Sequence, residues 1–206
     1  MINLLTIERE YGSGAGDIAG KLSDRLGWKL WDQLLTDRIA RRLQCASRAI
    51  EAQEERKDPI YYRLFKAFLR GSYEGTMNTQ MMKIADAESI RKVSEQLVRE
   101  AASEGNAVIV GRGSAYYLRD RPESFHVFIY APFEERVRRL RQKGKTEEEA
   151  VHLAETVDLD RAAFIKQYFG IEWPSRQFFH MMVNSTVGDE AVVEMILDGL
   201  SVIGKK

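Results

Sequence analysis

The run Gly12-Ser13-Gly14-Ala15-Gly16 constrains this chain more than any other segment, because glycine at every second position suits neither a strand nor a helix interior. It must be a loop, and its flanks say which kind. Asn3-Leu4-Leu5-Thr6-Ile7 before it is short and apolar, the pattern of a buried parallel strand. After it, Ile18, Ala19, Leu22 and Leu26 recur at helical spacing until Gly27 stops the helix. Trp28-Lys29-Leu30-Trp31 then reads as a second strand ending at Asp32. Strand, glycine loop, helix and strand make a βαβ unit. In the first turn of such a unit, small residues let backbone N–H groups face phosphate oxygens, with the positive end of the helix dipole behind them. The motif match itself is loose. Against G-x-x-x-x-G-K-[ST], the window 11–18 keeps Gly16 but has Tyr11 for the first glycine, Asp17 for the lysine and Ile18 for the hydroxyl. Position between first strand and first helix favours a phosphate loop over a plain tight turn. It makes Gly12, Ser13, Gly14, Ala15, Gly16 and Asp17 the candidate nucleotide-binding residues.

The alternation continues downstream. Ile90, Val93, Leu97, Val98 and Ala101 mark an amphipathic helix ending near Gly105, and Ala107-Val108-Ile109-Val110 a buried strand. Phe125-His126-Val127-Phe128-Ile129-Tyr130 and Met181-Met182-Val183-Asn184 are two more strands. Pro132 opens a helix carrying Arg136, Arg138, Arg139 and Arg141, while Thr146 reads as the N-cap of a helix running to about Phe169, with Glu147, Glu148 and Glu149 in its first turn. A last helix turns Val192, Val193, Ile196 and Leu200 inward. Strands alternating with helices predict an α/β fold with a parallel sheet covered on both faces, and ligands bind such sheets at the carboxyl ends of their strands. From Gln33 to about Met82 the chain reads as mostly helical, broken near Pro59 and Gly71. Its aromatic stretch with Tyr61, Tyr62, Phe65 and Phe68 suits core packing, a substrate cap or a homodimer surface.

The 206 residues suffice for one well-buried core, and 31 basic residues cancel 31 acidic ones. That balance argues against a nucleic-acid partner, which takes a positive excess, so an anionic ligand must be held by a local cluster of donors. No apolar run approaches the ~20 residues of a membrane span. The single cysteine, Cys45, excludes an intramolecular disulfide and a Cys-based zinc site, and with no basic stretch before the strand-like run from Ile2 to Ile7 a cytoplasmic protein is expected. His126, His152 and His180 have no metal-type spacing, and no protein metal ligands are expected.

Three places offer donors. Gly111-Arg112-Gly113 ends a buried strand, where an arginine is placed either to fork onto a phosphate or simply to occupy a turn. The four arginines between positions 136 and 141 cannot all share one helix face, so some point away from solvent. Asp158 and Arg161, three apart, share a face either as a surface pair or as a ligand-contacting pair.

Together these segments resemble the cytidylate kinase-like family, a branch of the P-loop nucleoside monophosphate kinases, along nearly the whole chain. Thr6-Ile7-Glu8-Arg9-Glu10-Tyr11-Gly12-Ser13-Gly14 is similar to its opening strand and loop, and Val108-Ile109-Val110-Gly111-Arg112-Gly113 to its G-R-G/G-R-D segment. Asp158-x-x-Arg161 resembles the D-x-x-R of its lid helix, and Tyr168-Phe169-Gly170-Ile171-Glu172-Trp173 followed by Val183-Asn184-Ser185 its tail. The resemblance implies a five-stranded parallel sheet, a helical acceptor-binding insertion at about 33–90 and an arginine-bearing lid at about 136–180. It implies a kinase that moves a phosphoryl group from ATP, with Mg2+, to CMP or dCMP. ATP would sit on the glycine loop and the acceptor near Asp32, Arg38 and Arg112, with Asp158 and Arg161 contacting acceptor and phosphates. Arg112, Arg136, Arg139 and Arg161 would be the catalytic cations. Two other readings stand beside this one: a nucleotide-binding sensor without catalysis, and a kinase for another small acceptor. The chain departs from the family where Gly16 replaces a loop arginine and where Ala154 replaces a basic residue four positions before Asp158. The loop itself therefore carries no cation, and Ser13, Glu8 or Glu10 would have to assist the magnesium ion.

Overall fold

The computed structural model describes residues 1–50 and 87–204; the aromatic stretch around Tyr61 to Phe68, with Pro59 and Gly71, lies outside them. In chain order the elements are β1 (Leu4–Arg9), α1 (Ala15–Leu26), β2 (Lys29–Trp31), α2 (Gln33–Ile50), α3 (Ala87–Glu104), β3 (Ala107–Val110) and the short α4 (Ser114–Tyr117). Then follow β4 (Ser124–Tyr130), α5 (Phe133–Gln142), α6 (Glu147–Phe169), β5 (Met181–Asn184) and α7 (Asp189–Ile203). The five strands form one sheet in the order β2-β3-β1-β4-β5, and every neighbouring pair is parallel. The expected five-stranded parallel sheet is what forms.

Strand alternation sends apolar side chains of these strands to both faces of the sheet. Leu4 and Ile109 enter one core with Trp31, Leu35, Ile39, Leu97, Val98 and Phe164, which brings α2, α3 and α6 to one face. Leu5, Ile7, Val108 and Val110 enter the other with Ile18, Leu22, Val192, Val193 and Ile196, which brings α1 and α7 to the opposite face. Each such fully buried aliphatic side chain contributes about 1.5–3 kcal/mol against exposure. Because β1 lies between β3 and β4, the glycine loop at its carboxyl end sits in the middle of the sheet's carboxyl edge, with Asp32 and Arg112 following β2 and β3 on one side of it.

Two expectations shift in detail. Helix α1 begins at Ala15, so Gly16 and Asp17 belong to its first turn and not to the loop. After Gly113 the chain makes the four-residue α4, all of it buried, too short to show a period in sequence. The predicted cap of α6 is a full capping box: the Glu149 N–H donates to Thr146 Oγ1 at 3.2 Å and the Thr146 N–H to Glu149 Oε2 at 3.0 Å. The tail aromatics pack on α4 and on the sheet, Phe169 against Tyr116 and Tyr117 at 5.1 and 5.0 Å and Trp173 against Phe128 at 5.5 Å. Among the described residues no helix is long and apolar enough to cross a membrane.

Candidate nucleotide-binding and phosphoryl-transfer site

The glycine loop ends at Gly14, the N-cap of α1, with φ 83° and no side-chain cap on the helix. The amides of that first turn are therefore left to whatever enters the cleft in front of them. Gly14 is required twice over: its φ is positive, and a Cβ there would overlap the Arg139 guanidinium, whose Cζ would lie 3.0 Å away. The cleft has a volume of about 320 Å³. It is lined by residues 12–17 and by five basic side chains, Arg9, Arg138, Arg139, Lys143 and Arg161, against three acidic ones, Glu10, Asp17 and Asp189. In a chain with no net charge this is the local concentration of donors that an anionic ligand needs.

These cations come from outside the loop. Arg139 reaches over Gly14 while its guanidinium donates to Glu135 at 2.8 Å, Asp189 at 2.9 Å and the Ser185 carbonyl at 3.1 Å. Lys143, at the end of α5, lies 3.2 Å from Asp17. The acid that stands where a phosphate loop has lysine is thus paired with a lysine from another helix.

The four arginines of α5 divide as their spacing predicts. Arg138 and Arg141 are exposed and pair with Glu135 and Glu147. Arg136 and Arg139 turn inward. Asp158 gathers this side of the site: its carboxylate accepts from the Tyr11 N–H at 3.0 and 3.1 Å, from Arg136 at 2.8 Å and from Arg161 at 2.9 Å. Arg161 in turn donates to the Arg9 carbonyl at 3.0 Å. The pair three apart on α6 is therefore not a surface pair, since its side chains are only 14% and 6% exposed. Arg136 also donates to the carbonyl of Ala154 at 3.1 Å. The Tyr11 ring is buried among Val137, Leu140, Ala150, Ala154 and Val157, which accounts for tyrosine at this position: it fastens the glycine loop to α5 and α6.

Beyond the cleft, at the ends of β2 and β3, lies a second polar group. Arg112 adopts φ 60°, is 1% exposed, donates to Thr36 Oγ1 and stands 3.9 Å from Asp32 Oδ1. Thr36 itself donates to the Asp32 carbonyl at 3.2 Å. Burial lowers the Arg112 pKa to about 10 although Asp32 pulls it the other way. Glu8 is also buried, and desolvation raises its pKa against the pull of Arg9, Arg161 and Arg112. Arg9 is 3% exposed, and desolvation, with Arg161 and Arg112 beside it, lowers its pKa to about 9. Arg38 lays its guanidinium over the Trp31 ring, 4.7 Å from the centroid. Arg112 and Asp32 thus lie together, and Arg136, Arg139 and Arg161 lie around the glycine loop. Sequence reasoning singled out neither Arg9 nor Thr36 nor Asp189. Arg9 left a signal, a charge on the last residue of a buried strand; Thr36 meets Arg112, and Asp189 meets Arg139, through contacts remote in sequence.

No curated protein matches the chain in sequence. Among solved structures it is similar to an uncharacterized protein from Eubacterium ventriosum, with a TM-score of 0.65 and 18% identity over 98% of this chain and 99% of that one. It is also similar to a shikimate kinase from Acinetobacter baumannii in complex with shikimate, with a TM-score of 0.52 and 15% identity over 100% of this chain and 96% of that one. At such identities the likeness concerns the fold. In sequence, the profile of the cytidylate kinase-like family matches residues 4–187, and the chain belongs to that family.

Proposed function

We propose that this protein is a kinase that transfers the γ-phosphoryl group of ATP to a pyrimidine nucleoside monophosphate, CMP or dCMP. The observation that carries this reading is a glycine-loop cleft with five basic side chains, in an otherwise neutral chain, next to the buried Arg112, Asp32 and Thr36. In this reading the donor's phosphates lie on the amides of the loop and of the first turn of α1. Arg139 supplies from α5 the charge that a loop lysine would bring, and Lys143 offsets Asp17. The acceptor's phosphate is held by Arg112, and Asp32 and Arg38 meet its sugar or base. Arg136 and Arg161, oriented by Asp158, neutralise charge on the transferring group as the helices α5 and α6 act as the lid.

A magnesium ion fits as a companion of the phosphates. Among the described residues no cluster of three or more acidic, His or Cys side chains is built for a metal. Ser13 and Glu10, on the cleft wall, are the side-chain oxygens that would meet it, and it would supply charge neutralisation. No general base is needed, because positioning and electrostatics dominate phosphoryl transfer.

A coupled ADP-release assay with ATP, magnesium and each nucleoside monophosphate in turn tests the reading. Release that depends on CMP or dCMP and falls about 100-fold or more in Arg112→Ala is expected. Release with a different acceptor moves the substrate and keeps the chemistry. No release with any acceptor, alongside measurable ATP binding, leaves the nucleotide sensor that an aspartate in the loop favours.

A further inference from the structure

The geometry points to Arg9 as a further catalytic residue, the cation that meets the transferring phosphoryl group between donor and acceptor. The inference rests on the kinase reading above and adds a residue to it.

Position is the first argument. Arg9 is the last residue of β1, just before the glycine loop, and it is one of the residues that line the same cleft as residues 12–17. Its guanidinium also lies against Gly111, the residue before Arg112: a Cβ there would overlap a guanidinium nitrogen and stand 2.8 Å from Arg9 Cζ. The turn after β3 is thus shaped to admit this side chain, and Gly111 with φ +64° has the one residue type that allows it without strain. One end of the Arg9 environment is the donor loop, the other is the Arg112–Asp32–Thr36 group. A group passing from donor to acceptor crosses the space between them.

Electrostatics is the second. Arg9 shares this space with Arg161 and Arg112, both of like charge, and with the carboxylates of Glu8 and Asp32. Arg161 is met in turn by Asp158 at 2.9 Å, so these buried charges form one polar network that an entering phosphate can join. Burial and the two like charges also hold the Arg9 pKa at about 9, so it stays charged at neutral pH. A purely structural role would be filled more cheaply by an apolar side chain of similar volume.

The step is balanced without further reactants. The bond from the γ-phosphorus to the bridging oxygen breaks, and its electron pair leaves with the nucleoside diphosphate. A bond forms from the γ-phosphorus to an acceptor oxygen, and any proton on that oxygen passes to water. Negative charge spreads over the equatorial oxygens in between, and the planar fork of Arg9 donates to them.

The test compares the wild-type protein with Arg9→Gln, Arg9→Lys and Arg9→Ala in the ADP-release assay, with ATP affinity measured separately by calorimetry. Arg9→Gln is expected to lose about 100-fold or more in kcat, with ATP affinity changed by no more than about threefold. Arg9→Lys, which keeps the charge without the fork, is expected between the two, and millimolar guanidinium is expected to restore part of the turnover of Arg9→Ala. Wild-type turnover with an unchanged kcat in Arg9→Gln overturns the assignment while leaving the kinase reading intact. A parallel loss of folded protein in all three variants, with no guanidinium rescue, also overturns it, making Arg9 structural. Absence of turnover in the wild-type protein with every acceptor overturns the kinase reading and this inference together.

Discussion

Asp158 accepts hydrogen bonds from three partners on three segments, the Tyr11 amide, Arg136 and Arg161, and its two oxygens hold both arginines in register with the loop. A carboxylate with that many charged donors is hard to replace, because removing one partner of a desolvated pair leaves the other uncompensated. Asp158→Asn keeps the shape and one acceptor but takes the nearest negative charge from two mostly buried guanidinium groups, with Glu10 still 3.6 Å from Arg136. We expect a loss of about 2–3 kcal/mol in urea unfolding at neutral pH. A double-mutant cycle with Arg136→Gln should show strong coupling. Additive effects would mean that the 2.8 Å contact contributes nothing beyond its neighbours.

At the scale of elements, the Tyr11 side chain joins the glycine loop to α5 and α6 by apolar packing. The Tyr11 ring completes a small apolar cluster with α5 and α6, separate from the two cores that cover the sheet. Replacing it does not touch β1 packing, yet removes the filling of that cluster, so Tyr11→Ala should cost about 3 kcal/mol. The effect should be local. Hydrogen exchange is expected to accelerate across Phe133–Gln142 and Glu147–Phe169 while the amides of Leu4–Arg9 keep their protection. Equal acceleration in both regions would show that these two helices and the sheet unfold as one unit.

Across the whole molecule, acid should find a weak point at the β4–β5 side of the sheet. His126 is 3% exposed, shares a 2.6 Å hydrogen bond with Thr6 Oγ1, and stacks on His180 with ring centroids 5.2 Å apart. The His126 backbone N–H donates to His180 Nδ1 at 2.9 Å, so that ring too is held neutral. Desolvation, with His180 beside it, lowers the His126 pKa from 6.5 to about 4. A histidine whose folded pKa is depressed stabilises the fold fully above its unfolded pKa, and that contribution fades as pH falls from 6.5 towards 4. The loss by pH 5 is on the order of 2 kcal/mol. Glu8 and Glu10, whose pKa values burial raises, act with the opposite sign, since protonating them relieves the fold. Urea midpoints at pH 7 and pH 5 should therefore be compared between wild type and His126→Gln: the variant should lose most of the drop, and an equal drop in both would assign it elsewhere.

The sequence alone determined the architecture, because local chemistry wrote it. Apolar runs of strand length, glycines at turns, the Thr146 cap and the periodic helices each carry their own period or stop signal, and all five strands fell where those signals placed them. It also marked Asp32, Arg112, Asp158 and Arg161 by their places at strand ends or on one helix face. Only the tertiary structure decided how charge is distributed among them. Asp17 looks repulsive to phosphate until Lys143 is seen beside it, 126 positions away along the chain, and the loop's missing cation arrives as Arg139 from α5. Four-residue α4 and the contact of Arg9 with Gly111 were equally hidden. Periodicity reports which face of an element is buried, whereas ion pairs between remote segments depend on where the sheet brings those segments together, and no spacing along the chain encodes that distance.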